Sequence, residues 1–204
     1  MKKFITFALI AAMMLTMLVA NVSADAWDGT SVSESLKGEG TVASPYLVES
    51  AADLAFLAKS VNAGNQYGGM YFTQTADIDL GNKEWTPIGN VDSGFRGIYD
   101  GKGHKITGFY KKITEKYNGL FGVVKSTGNT QAAILNLTLE GKVDTWSFNT
   151  KSQVNVGGLT ASVTGTATQH VVIANCVVDV DITANAPTLA DGQFDYAAGV
   201  GPHP

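Results

Sequence analysis

Residues 119–143 read GLFGVVKSTGNTQAAILNLTLEGKV, and residues 158–182 read GLTASVTGTATQHVVIANCVVDVDI. The second stretch echoes the first at a constant offset of 39: Gly119 aligns with Gly158, Leu120 with Leu159, Ile134 with Ile173 and Asn136 with Asn175. A third copy opens at Tyr196 with YAAGVG. Self-similarity at a fixed period is the mark of a repeat architecture, in which each unit buries its apolar face only against its neighbours. Such a chain presents a long lateral surface, so recognition along a face is expected ahead of chemistry in a closed pocket.

Within the repeat, apolar runs near Leu120 and Ile134 predict two strand segments. They suggest two coils of about 20 residues per unit. Ile134, Leu137 and Leu139 then stack below Ile173, Cys176 and Val178. Asn136 and Asn175 fall at one corner, where asparagine tolerates the left-handed conformation and bonds to its counterpart in the next coil. Upstream, short β-prone runs are separated by Gly, Asn and Asp: Tyr46–Val48, Met70–Gln74, Ile78–Leu80, Phe95–Tyr99 and Lys105–Phe109. Further runs follow at Val154–Leu159, His170–Val180 and Tyr196–Val200, and Asp100-Gly101 signals a turn. A single helix is expected. Ser50 and Asp53 make a capping-box-like start, Leu54, Leu57, Ala58 and Val61 share one face, and Gly64 closes it. A lone amphipathic helix ahead of strand repeats is suited to cap the open end of the stack. The expected fold is all-β, a parallel β-helix with an N-terminal capping α-helix.

The chain opens MKKFITFALIAAMMLTMLVANVSADA. A basic start, an apolar run and small residues before a cut read as a secretory signal peptide over residues 1–26. Residues 27–44 form a polar, Gly/Ser-rich lead-in expected to be flexible or late to order, and residues 45–204 form the repeat domain. The formal net charge is −4. Nucleic acid is therefore not an expected partner, and no membrane span is expected in the mature chain. The one arginine, Arg96, is too little for a site gripping acidic sugars or phosphates bidentately. The one cysteine, Cys176, lies in an apolar strand-like run and is expected to pack rather than react.

The order GTVASPYLVESAADLAFLAKSVNAG, YFTQTADIDLGNKEWTPIG, FRGIYDGKGHKITGFY, YNGLFG, ILNLTLEGKV, VGGLT resembles bacterial extracellular proteins with GLUG-type repeats. The resemblance covers roughly residues 38–201. It implies a right-handed parallel β-helix in an exported, adhesin-like, multi-module protein, and brings no catalytic residue set.

Asp77 and Asp79 share a face, as do Asp179 and Asp181, but two local carboxylates fall short of the six to eight oxygens of a Ca²⁺ site. Gly103-His104-Lys105 faintly echoes a glycosidase motif without its flanking aspartates. No catalytic residue, cofactor or metal is expected, with a polysaccharide lyase or glycosidase as the alternative. Trp146 and Phe148 lie where the two repeats differ most, which predicts a loop leaving the stack; exposed aromatics there are the candidate ligand-binding residues. The expected role is a secreted or cell-surface module that binds a glycan or a host or matrix protein, within a longer protein carrying further modules.

Overall fold

The computed structural model describes residues 25–145 and 154–183. Most of the expected signal peptide, the loop with Trp146 and Phe148, and the expected strand Tyr196–Val200 lie outside the described residues. Apart from one short helix, the described chain is β-structure, and every pairing between its strands is parallel. Among the described residues no sheet closes on itself into a barrel.

Strand β1 (Tyr46–Val48) precedes helix α1 (Ala51–Asn62). Next come β2 (Tyr71–Gln74), β3 (Ile78–Asp79), β4 (Ile98–Asp100), β5 (Lys105–Ile113), β6 (Tyr117–Asn118) and β7 (Phe121–Lys125). The last are β8 (Ala133–Leu135), β9 (Thr138–Thr145), β10 (Asn155–Val156), β11 (Thr160–Thr164), β12 (Val172–Ala174) and β13 (Val177–Thr183). They form a five-stranded sheet ordered β1-β2-β4-β8-β12, a four-stranded sheet ordered β13-β9-β5-β3, and the pairs β10-β6 and β11-β7.

The registers explain the sequence echo and correct one reading of it. Phe121 pairs with Thr160, Ile134 with Ile173 and Leu139 with Val178, each at the repeat offset. One repeat is therefore one layer, not the two shorter coils expected. The strands of a repeat sit side by side in different sheets, because Asn136 (φ 51°) and Asn175 (φ 54°) turn the chain between them. For the same reason the runs expected as single strands over Ile134–Leu139 and His170–Val180 are each broken in two. Toward the N-terminus the layers shorten, as the pairings of Ile98 with Ala133 and of Tyr71 with Ile98 show.

The core runs between the sheets. Tyr46, Phe72, Phe95 and Phe121 form a row of rings with successive centroids 5.2, 5.6 and 5.3 Å apart. Beside it Ile78, Ile106 and Leu139 superpose in register, and all are buried. Fully buried Trp85 donates its indole N–H to the Leu120 carbonyl at 3.0 Å. Layers approach closely where Gly122 meets Gly89: a Cβ on Gly122 would collide with the Gly89 carbonyl oxygen. That contact explains why GLFG and PIG carry glycine at those places.

Helix α1 begins and ends as its sequence indicates. The Ser50 hydroxyl accepts from the Asp53 amide at 3.2 Å, and Asp53 accepts in turn from the Glu49 amide at 3.0 Å. Gly64 (φ +113°) follows its end. Leu54, Leu57 and Val61 are fully buried in the common core. The lead-in departs from expectation, because it docks. The Trp27 ring meets Trp85 edge-on at 5.6 Å, the Ser33 amide donates to the Ala52 carbonyl, and the Leu47 amide of β1 donates to the Lys37 carbonyl. The lead-in's backbone bonds to β1, β3 and the first turn of α1, which composition alone does not reveal.

Candidate binding face

The four-stranded sheet alternates strictly in β9 and β13. Leu139 and Val143 point inward, while Glu140, Lys142 and Asp144 stand on the outer face of β9. Asp179 and Asp181 continue that face in register with Glu140 and Lys142, and Tyr110 and Lys112 extend it on the other side, opposite Lys142 and Asp144. Opposite charges meet across and along the strands. Lys105 Nζ lies 3.0 Å from Glu140 Oε1, and Lys142 Nζ lies 2.9 Å from Asp144 Oδ1. The hydrogen bond and charge of Asp144 raise the Lys142 pKa, with smaller contributions from Tyr110 and Asp181, and Glu140 does the same for Lys105. At the rim, Asp77 accepts from the Lys105 amide at 2.9 Å and is bonded to His104 Nδ1 at 3.1 Å. The backbone bond is the chief reason its pKa is lowered.

Such a surface offers donors and acceptors in fixed rows about one strand spacing apart, roughly 4.8 Å. It suits sugar hydroxyls or a complementary polar protein surface better than an apolar ligand. β9 runs directly into the segment that holds Trp146 and Phe148, so these candidates follow this face in the chain but lie outside the described residues.

Of the carboxylate pairs weighed for Ca²⁺, Asp77 and Asp79 have other partners. Asp79 accepts from the Gly81 amide at 2.8 Å, and Asp77 is engaged as above. Among the described residues no group of three or more His, Cys, Asp or Glu side chains could hold a metal ion. Arg96 ties three segments together, reaching Gln66 Oε1 and Thr130 Oγ1 at 3.1 Å each and the Thr127 carbonyl at 3.4 Å. Cys176 is half-buried, and burial pushes its thiol pKa up.

One polar arrangement escaped the sequence, and a second was legible only in part. Lys111 points into the interior with its side chain 2 % exposed, and it bonds Glu84 at 3.0 Å and Glu115 at 3.3 Å. The second is a one-way corner ladder. Asn136 Nδ2 donates to Asp100 Oδ1 at 2.9 Å, and Asn175 Nδ2 donates to Asn136 Oδ1 at 3.1 Å. Its two asparagines were legible from the repeat; Asp100 was not, because the offset there is shorter.

Among the described residues no helix is long and apolar enough to cross a membrane. No family model and no solved structure matches the chain. Two curated proteins are similar over part of it. A Gly-rich membrane protein of Evansella cellulosilytica is 40% identical over 112 residues, which are 51% of this chain and 12% of that protein. Halomucin of Haloquadratum walsbyi is 32% identical over 148 residues, 66% of this chain and 2% of that protein. The chain thus spans a small fraction of the length of either relative.

Proposed function

We propose that this chain is an exported β-solenoid module of a surface protein, built as a right-handed parallel β-helix, that binds a glycan or a protein through its flat charged face. The observation that carries the reading is the parallel register from β3 through β13, which sets Glu140, Lys142, Asp144, Asp179 and Asp181 in rows on one outer surface. In this reading residues 1–26 are the signal peptide, and the lead-in with α1 forms the cap of the first layer. Trp146 and Phe148, which follow β9 in the chain, are the proposed aromatic contacts. The names of the two relatives, a membrane protein and a halomucin, favour a surface setting. The GLUG-type resemblance favours an adhesin-like or structural role in a longer protein.

The test is a glycan and matrix-protein binding panel run on the full chain and on Trp146→Ala/Phe148→Ala and Lys142→Ala variants, beside thermal melts. Loss of a hit in the variants with an unchanged melting temperature supports the reading. No hit across the panel defeats the binding role, and release of new reducing ends or unsaturated sugar products from a polysaccharide would establish the lyase or glycosidase instead.

A further inference from the structure

An aromatic side chain reaches the charged face through a fault in its strand. Ile106 pairs with Leu139 and Phe109 with Gly141, so Thr107 and Gly108 of β5 together stand opposite Glu140. Such a bulge adds one residue and resets the alternation of everything after it. Without it Tyr110 would share the inward side with Ile106. With it Tyr110 stands outward, opposite Lys142 on one flank and bridged to Glu84 on the other. The backbone there is held, because the Trp85 amide donates to the Tyr110 carbonyl at 2.9 Å. Gly108, two residues before the tyrosine, has φ +62°, and a Cβ on it would lie 2.6 Å from an Asp79 carboxylate oxygen. That place on the strand is thus kept bare of a side chain.

Tyr110 is partly exposed, and among the described residues no hydrogen bond engages its phenol oxygen. The charges flanking it are already matched. Lys142 Nζ meets Asp144 at 2.9 Å, and Glu84 holds Lys111 Nζ at 3.0 Å while accepting from the Lys112 amide. An ionic ligand would have to break such a pair to gain a new one, which leaves it little net attraction. The same groups remain open as hydrogen-bonding partners, since the side chains of Lys142 and Glu84 are 51% and 44% exposed. A pyranose ring matches this combination. Its face of weakly positive C–H groups suits the negative face of an aromatic ring, and its rim of hydroxyls suits charged donors and acceptors.

We propose that Tyr110 is the stacking platform of a saccharide subsite, on which a pyranose ring of a neutral glycan lies with its hydroxyls toward Lys142 and Glu84. The proposal rests on the binding-face reading above and narrows its ligand from glycan or protein to an uncharged glycan. The occupant follows from the matched charges, which offer hydrogen bonds without an uncompensated field. The subsite stands on β5 and its neighbours alone and does not need Trp146 or Phe148.

A printed array of neutral and acidic glycans, probed with the full chain, ranks the ligands. The tightest neutral glycan is then titrated calorimetrically against wild type, Tyr110→Phe, Tyr110→Ala and Trp146→Ala/Phe148→Ala, each beside a thermal melt. Neutral glycans are expected to lead the ranking. Tyr110→Phe keeps the ring and is expected to bind within about threefold of wild type, whereas Tyr110→Ala is expected to bind about tenfold more weakly at an unchanged melting temperature. If Tyr110→Ala melts earlier than wild type, Tyr110→Leu, apolar but without a ring, takes its place. Wild-type affinity in the ringless variant overturns the proposal, and loss of binding only in Trp146→Ala/Phe148→Ala then moves the contact off β5. A ranking led by acidic glycans, or hits confined to matrix proteins, also overturns it while leaving the binding face in place. No ligand on the array or among matrix proteins overturns both the subsite and the binding role.

Discussion

Replacing Asn136 separates backbone strain from hydrogen bonding at the corner of the stack. Asn136 has φ 51°, donates to Asp100 at 2.9 Å and accepts from Asn175 at 3.1 Å. Asn136→Ala loses both bonds and places a residue with no side-chain compensation in the left-handed region. That region costs a non-glycine residue roughly 1–2 kcal/mol. A bond to a charged acceptor contributes about 1.5–3 kcal/mol when fully shielded and a neutral one about 1 kcal/mol. With the corner partly open to solvent, the total comes to about 3 kcal/mol. Asn136→Gly loses the same bonds but relieves the strain, so it is expected to cost about 1 kcal/mol less than alanine. Urea denaturation at neutral pH reads both values. Equal costs for the two variants, or costs below about 0.5 kcal/mol for each, refute the role assigned to the corner. The pH dependence gives an independent check. Burial pushes the Asp100 pKa up, but hydrogen bonds from Asn136 and Lys102 outweigh it and hold the group below its ordinary value. A lowered folded-state pKa stabilises the fold in full above the unfolded value, near about 3.9, and that contribution is lost as pH falls through the folded value. The stability gap between wild type and Asn136→Gly is therefore expected to narrow below about pH 4.

Two further substitutions test the interior. Gly122→Ala drives a methyl into the Gly89 carbonyl, where both sides are backbone and neither can swing away; a loss of about 2 kcal/mol or more in chemical denaturation is expected, and a neutral result contradicts the close approach of the layers. Lys111→Met keeps the buried stem and gives up the ion pairs with Glu84 and Glu115, whose side chains are 44% and 52% exposed and stay solvated, so it is expected to cost about 1 kcal/mol, whereas Lys111→Ala also removes the stem packing and is expected to cost about 2 kcal/mol more. Equal losses in the two lysine variants show that charge, not packing, governs the site.

The repeat was legible because β7 to β9 and β11 to β13 lie at one constant offset, so alike side chains recur at alike places. The earlier layers hid because their offsets are shorter and unequal; Tyr71, Ile98 and Ala133 share a row in space but no period in sequence. Lys111 hid for a related reason. An irregularity between Ile106 and Phe109 resets the alternation of β5, and only after that reset does Lys111 fall inward and Lys112 outward. The corner asparagines were readable from the repeat together with their chemistry, since few residues accept their backbone conformation and asparagine can also bond along the stack. That Arg96 does not build a bidentate site was an expectation from the sequence, but its partners, which come from separate connections, were not readable. The docking of the lead-in was not readable, because its contacts are chiefly backbone hydrogen bonds that leave no hydropathy pattern.

In a Trp146→Phe background, the Trp27–Trp85 contact makes the protein's own fluorescence a positional instrument. Both indoles belong to the first layers, with ring centroids 5.6 Å apart, and Trp85 is sealed in the core. Changes in their emission register the loosening of that end, while far-ultraviolet circular dichroism sums strand content over the whole length. In a stack whose layers touch only their neighbours, melting that begins at the β11–β13 end loses ellipticity before these two indoles meet water. The separation between the two melting curves therefore measures how far unravelling travels along the chain before the first layers give way.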